Sequence, residues 1–291
     1  MSGPLRFRLA LDARCTVGES PVWDAEIAAL LFCDIPNGLI CEWRPSDGAR
    51  RSWSFGESVG SFGLCRSGRL VVALRRSVVL LSRHDGSVVP LAEVPEPEGN
   101  RLNDGKVGPD GCFWVGGMDD RPEKQPTASL YRVTPDGRVE RKAEGLMVSN
   151  GLAWTADGAT MVHSDSRART IDAYEFDAAS GRIGSRRRLA TLTDADGRPD
   201  GGAFDREGTY WSAGVSAGVL NRFSLAGGLL ERHPFPVPAP TMPCFAGGTL
   251  FVTSLREGRD ADTLRRWPAL GGIFAAPAPG RGVPVGLFGD D

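Results

Sequence analysis

Three short turns carry side chains able to do chemistry: Asn103 in "NRLNDGKV", Asn150 in "VSNGLAW" and Asp200 in "GRPDGGAF". Each stands beside a glycine or an Asp-Gly pair, and they recur at intervals of roughly 45 to 50 residues, the length of one four-stranded propeller blade. Glu19, in "VGESPVWD", lies a little under two such intervals before Asn103. Glu19, Asn150 and Asp200 together offer oxygen donors and no thiolate or imidazole. That set suits a divalent cation that takes oxygen ligands, with water or substrate filling the remaining positions. The same residues are also ordinary turn formers, because Asn and Asp hydrogen-bond their own backbone and Gly accepts positive φ. Spacing alone leaves both readings open.

Other chemistries find less support. "GVSAG", residues 214 to 218, matches the G-x-S-x-G elbow that would make Ser216 a hydrolase nucleophile. The elbow needs a strand, a sharp turn and a helix, whereas Ser216 falls between the strand-like runs "TYWSA" and "VLNRFSL". His84, His163 and His233 are the only histidines. His163 alternates within "ATMVHSDS" as a strand residue would, and His84 sits at a turn. Neither a Ser-His-Asp triad nor a His-rich zinc site is expected.

The elements that must position these turns read as hairpins. Turn pairs recur throughout, among them Asp47-Gly48, Asp85-Gly86, Asp136-Gly137 and Asp157-Gly158, and between them lie short runs such as "RLVVAL", "CFWVGGM", "TIDAYEF" and "TYWSAGV". These runs are rich in β-branched and aromatic residues. No helical period is sustained; "DADTLRRW" allows one short turn. One plan of turn, strand, loop, strand, turn and strand repeats at the blade period, so a chain of 291 residues holds about six blades. The expected fold is therefore all-β, a six-bladed β-propeller spanning residues 1–291 as one domain. In such a fold, polar turns one blade apart converge on the mouth of the central channel. The N-terminal run "LRFRLALDA" is expected to complete the last blade, formed around "GGIFAAP". Trp23, Trp114, Trp154 and Trp211 near strand starts are expected to pack between sheets, and Arg186 to Arg188 to lie on a solvated edge.

Composition excludes several classes. Lys and Arg number 34 against 36 Asp and Glu, so no basic field exists for nucleic acid or anionic lipid. The apolar runs are far shorter than a bilayer span and "MSGPLRFRLALDA" lacks an apolar signal core, so a soluble, cytoplasmic protein with no membrane partner is expected. Cys15, Cys33, Cys41, Cys65, Cys112 and Cys244 form no Cys-x-x-Cys pair and are read as buried free thiols. A monomer or weak homodimer is expected.

"GESPVWD", "NRLNDGKVGPDGCFWVGGM", "VSNGLAW", "PDGGAF" and "PCFAGGTLFVTS" resemble, in order and at matching spacing from about residue 15 to residue 275, the signatures of the senescence marker protein, regucalcin and gluconolactonase family. The resemblance implies a six-bladed propeller with a metal site at the mouth of the central channel, holding one divalent metal, and hydrolysis of sugar lactones to aldonic acids. It implies that Glu19, Asn150 and Asp200 are metal ligands and that Arg101 and Asn103 contact substrate. Regucalcin-like members carry a glutamate in the loop after "GGM" where this chain has Arg121, so Asp120 is read as the hydroxyl acceptor there. The expected chemistry is Lewis-acid polarisation of the lactone carbonyl, with Arg101 gripping substrate and Asp200 taking the proton of water; Asp104 is the next candidate base. The metal is Ca²⁺, Zn²⁺, Mg²⁺, Mn²⁺ or Fe²⁺, since oxygen-only sites accept several. The alternatives are a calcium-binding regulatory propeller without turnover and a protein-interaction propeller.

Overall fold

A computed structural model describes residues 3–291. Its strands form six four-stranded antiparallel sheets. Five are continuous in sequence, covering residues 18–54, 61–93, 100–146, 149–191 and 199–234, and are numbered here as blades one to five. The first strand of each blade touches the first strand of the next, and the contacts return from blade six to blade one. That closed ring of inner strands defines a six-bladed propeller, as the blade period requires.

Blade six is built from both ends of the chain. Pro240–Ala246, Thr249–Ser254 and Ile273–Pro277 supply three strands, and the N-terminal Arg8–Leu11 adds the fourth by pairing Arg8 with Ala275 and Leu11 with Ile273. Closure removes the open edges that a linear stack of sheets would expose. Deleting residues 1–12 is therefore expected to lower Tm by at least about 5 °C and to broaden the transition. Calorimetry that shows an unchanged melting curve would rule this closure out as a stabilising element.

Packing follows the blade logic. Six hydrophobic clusters lie one at each junction between neighbouring sheets. Between blades three and four, Trp114 and Trp154 meet edge to face at 6.0 Å with Phe176 beside both. Trp211 is fully buried between blades five and six, and Trp23 packs partly buried between blades six and one. Outer strands instead face water and carry charge, including Arg186 to Arg188 in Arg182–Thr191. All six cysteines are free thiols, five of them buried.

Two smaller features agree with the sequence. "DADTLRRW" yields one short helix, Ala261–Arg266, capped by the Asp260 side chain. Ser216 lies in the turn between the strands Thr209–Gly214 and Val219–Ser224, where its Oγ accepts a hydrogen bond from the Arg198 amide at 2.9 Å. The C-terminal segment crosses the far ends of the inner strands: the Val283 amide donates to Phe204 O, the Phe288 amide donates to Leu64 O, and Phe288 is fully buried. Among the described residues no helix is long and apolar enough to cross a membrane.

Candidate metal centre

The inner strands are irregular at one level. In blade three, Leu102 pairs with Gly117 but Gly105 with Val115, so three residues on the inner strand oppose two on its neighbour. The same offset falls between Glu19 and Val22, Asn150 and Ala153, Pro199 and Gly202, and Pro240 and Pro243. Each is a β-bulge, a device that re-aims side chains locally. Blade two alone keeps a regular register, from Ser61 with Ala73 to Leu64 with Leu70.

The bulges define two equivalent positions. Asn103, Asp200 and Thr241 occupy one; Glu19 and Asn150 occupy the position just before it. Glu19 and Asn150 are each followed by a left-handed residue, Ser20 with φ 48° and Gly151 with φ 67°. Gly151 has no alternative, since a Cβ there would meet Ser164 Oγ at 2.3 Å and Tyr210 Oη at 2.4 Å. Ser20 holds that conformation without being glycine, a strain of order 1–3 kcal/mol of the kind found at functional sites. The approach segments are pinned in parallel ways. The Asp34 carboxylate accepts from the amides of Thr16 and Val17 before Glu19, and the Asp165 carboxylate from those of Met147 and Val148 before Asn150.

These strand starts surround a cavity of about 290 Å³ whose lining includes Glu19, Arg101, Asn103, Asp104, Asn150 and Asp200. A larger cavity of about 1080 Å³ lies against the C-terminal segment and the far ends of the inner strands, away from this set. Asp120 stands outside the smaller cavity's lining and is engaged by Arg75 at 2.9 Å and by Arg101 at 3.4 Å. The histidines lie apart from it. His163 is buried and bonded to Ser149 Oγ at 2.7 Å, with burial pushing its pKa down to about 4, so it is neutral. His233 stacks on Trp211, and His84 sits exposed at a turn.

Hydrogen bonds fix the amides and leave the acids short of partners. Asn150 donates from Nδ2 to Ser166 Oγ at 2.7 Å, which turns its Oδ1 away from that partner and toward Asn103 Nδ2 at 3.4 Å. Asn103 donates to Ser149 O at 2.9 Å and accepts from Arg101 Nη1 at 2.9 Å. Glu19 Oε2 accepts from the Ser20 amide at 2.6 Å, but its buried Oε1 has no partner. Asp104 Oδ2 accepts from the Leu152 amide at 3.1 Å, and its buried Oδ1 likewise has none. The Asp200 carboxylate, half-buried on the cavity wall, accepts no hydrogen bond among the described residues.

Such a set is unstable in its ionised form without help. Burial, and then the charges of Asp200 and Asp104, hold the Glu19 carboxyl well above the usual range. Burial and then Asp104 push Asp200 up to about 8 against the pull of Arg198. Burial also raises Asp104, with Lys106 opposing. Lys106, partly buried in the same inner strand as Asp104, donates to Gly202 O at 2.8 Å, and burial lowers its pKa. Three carboxyls beside one ammonium leave net negative charge that only protons or a cation neutralise.

The residues present fit a divalent cation in donor chemistry, since two buried carboxylate oxygens lack donors and Asn150 lines the same cavity with an amide oxygen. Among the described residues no three His, Cys, Asp or Glu side chains gather as ligands on their own, so an amide oxygen must complete any protein set. The sequence singled out Glu19, Arg101, Asn103, Asp104, Asn150 and Asp200 but missed Ser166, which lines the cavity and holds Asn150, and Lys106. Its signal was a lone ammonium inside the inner strand Asn100–Val107, flanked by residues that bury. Nor did it find Lys124, Arg167, Arg198 and Glu257, which come to the cavity from loops and carry no periodic signature.

Comparison with known proteins agrees with the geometry. The SMP-30/Gluconolactonase/LRE-like region model matches residues 17–256. The chain is 38% identical over 277 residues to 6-deoxy-6-sulfogluconolactonase of Pseudomonas putida, covering 94% of each chain. It is 34% identical to regucalcin of Oryctolagus cuniculus, covering 96% of this chain and 97% of the relative. The crystal structure of a calcium-binding regucalcin from Agrobacterium tumefaciens superposes with a TM-score of 0.91, covering 98% of both chains at 24% identity, and so shares the fold.

Proposed function

We propose, from the premise that this chain belongs to the SMP-30/gluconolactonase/LRE-like family, that it hydrolyses a sugar lactone to the aldonic acid at the cavity formed by Glu19, Asn150 and Asp200. The observation that carries the reading is the pair of donorless buried oxygens, Glu19 Oε1 and Asp104 Oδ1, of residues that line one cavity with Asp200, an acid with no protein hydrogen bond. Glu19, Asn150 and Asp200 would hold one divalent cation. When bound, that cation supplies Lewis-acid polarisation of the lactone carbonyl.

The protein's own groups do the rest. Asp200 accepts the proton of the attacking water as the oxygen–carbon bond forms. When the ring carbon–oxygen bond breaks, the same carboxyl returns the proton to the departing ring oxygen. The Asp200 carboxylate accepts no hydrogen bond from the protein, so one oxygen is free for both steps while the other ligates. Arg101 spends Nη1 on Leu102 O and Asn103 Oδ1 and turns Nε toward Asp120, which fixes the plane of the guanidinium and leaves Nη2 for substrate oxygens. Asp120, held between Arg75 and Arg101, positions that guanidinium, so its effect on substrate hydroxyls is indirect. Asn103 bridges blades three and four and keeps Asn150 in place. No covalent nucleophile is needed, because water attacks an already strained acyl group.

The oxygen-only donors also suit calcium held without turnover, and one experiment separates the two readings. Protein stripped by chelator is supplied in turn with Ca²⁺, Mg²⁺, Mn²⁺, Zn²⁺ and Fe²⁺, and acid release from 1,4- and 1,5-aldonolactones is followed in a pH-stat. Cation-dependent release above the spontaneous rate is expected for at least one lactone. Tight calcium binding with no release from any lactone selects the regulatory reading instead.

A further inference from the structure

The cavity separates charge along its depth. Its buried end carries Glu19 and Asp104, while three cationic side chains reach its more exposed end: Lys124 from the loop before Ala128–Val133, Arg167 from the turn before Thr170–Asp177, and Arg198 just before Pro199–Phe204. Among the described residues none of the three forms an ion pair or donates a side-chain hydrogen bond. The carboxylate beside Lys124, Asp120, is already held by Arg75 at 2.9 Å and Arg101 at 3.4 Å. Lys124 is half-buried, and its ammonium is held below the ordinary value by burial first, with Arg101 and Arg167 adding to that effect and Asp120 opposing it. Unpaired like charges gathered at one opening repel one another, and half-burial of one raises the penalty. Asp120 and Asp200 offset this charge only in part, since none of the three cations forms an ion pair, and an anion from outside can complete the match.

We propose that Lys124 and Arg167, with Arg198 beside them, bind an anionic substituent carried by the lactone at the end remote from its carbonyl. This rests on the lactonase reading. With the carbonyl at the acidic end, a hexonolactone places C6 toward the opening, and a cavity of about 290 Å³ admits one such ring, near the lower limit of roughly 300–1,000 Å³ for ligand sites. Guanidinium and ammonium together recognise carboxylate, phosphate or sulfonate oxygens. Glu257, also in the lining, lies near Arg101 and carries the opposite charge.

The test compares kcat/KM for glucono-1,5-lactones bearing at C6 a hydroxyl, a carboxylate, a phosphate or a sulfonate, in wild type and in Lys124→Gln/Arg167→Gln. Neither side chain hydrogen-bonds within the protein, so the double variant is expected to keep its melting temperature. Wild type should prefer an anionic lactone roughly 10- to 100-fold, the factor a charged hydrogen bond supplies, and less at high salt. The best of the three anions identifies the substituent. In the double variant that ratio should fall toward one. Equal rates in wild type, or a preference that survives in the double variant, overturn the proposal. If no lactone is hydrolysed at all, the lactonase reading fails and the rim is judged by calorimetry with gluconate, glucarate and 6-phosphogluconate. Tighter binding of either C6 anion in wild type, lost in the double variant, upholds the rim; equal affinities overturn it.

Discussion

In Asp200→Asn, lactone hydrolysis at saturating cation is expected to fall by about 10²- to 10⁴-fold, the range associated with loss of a general base. In Glu19→Gln most of kcat is expected to return once cation is raised. Both changes keep an oxygen that can ligate and remove one negative charge. The difference lies in surroundings. Glu19 spends one oxygen on the Ser20 amide, and its other oxygen is the one assigned to the cation, so none is left to take a proton from water. Asp200 is half-exposed on the wall, accepts no protein hydrogen bond and has its proton affinity raised by burial and Asp104. Steady-state rates measured against cation concentration separate the two roles: a shifted cation midpoint with restored kcat marks a ligand, and a low plateau marks a base. A second signature runs the opposite way. Removing the Asp200 charge relieves repulsion with Glu19 and Asp104, so chelated Asp200→Asn should melt a few degrees above chelated wild type near pH 8. Recovery of near wild-type turnover at high cation would move the base to Asp104, whose Oδ1 is the other donorless acid oxygen.

The propeller was legible because its signal is repeated. Each blade restates the same alternation and the same turn chemistry, so local ambiguity in one strand is corrected by the next. N-terminal closure was legible too, since "GGIFAAP" is a strand left without a fourth partner unless "RLAL" returns to it. The phase of the site was less accessible. Asn103 and Asn150 look equivalent in sequence, each an amide about one blade from the next, but the bulge register pairs Asn150 with Glu19 and Asn103 with Asp200. A bulge shifts the two-residue alternation by one, but these inner strands are buried on both faces and show no alternation, so periodicity cannot reveal which residue it displaces. Asp120 shows a further limit: its neighbour in the cavity, Arg101, is visible in sequence, but its competing partner Arg75 comes from the adjacent blade. Such contacts, like those of Lys124 and Arg167, are set by loop conformation.

The stability of the cation-free protein should fall as pH rises from about 5 to 8. Glu19, Asp104 and Asp200 all have carboxyls raised by burial above their usual range, Asp200 to about 8. Their pKa values in the unfolded chain are near 4. Between those limits the native state binds more protons than the unfolded state, so the stabilising contribution is complete below about pH 4 and is lost as pH climbs through the native values. A divalent cation reverses the slope, because it binds only the deprotonated set and its affinity therefore increases with pH. At about 100 times Kd it adds roughly 2.7 kcal/mol, which for a chain of this size is a rise of about 4–5 °C in Tm. Melting curves in chelator and in excess cation from pH 5 to 8 should accordingly diverge, with the gap widest at pH 8. Glu19→Gln should flatten the chelator curve while leaving Lys106 unchanged, which assigns the slope to the carboxyls and not to the buried ammonium. A chelated protein whose Tm climbs steadily with pH would mean that these acids are ionised and satisfied by the fold itself, and the cation site would lose its physical basis.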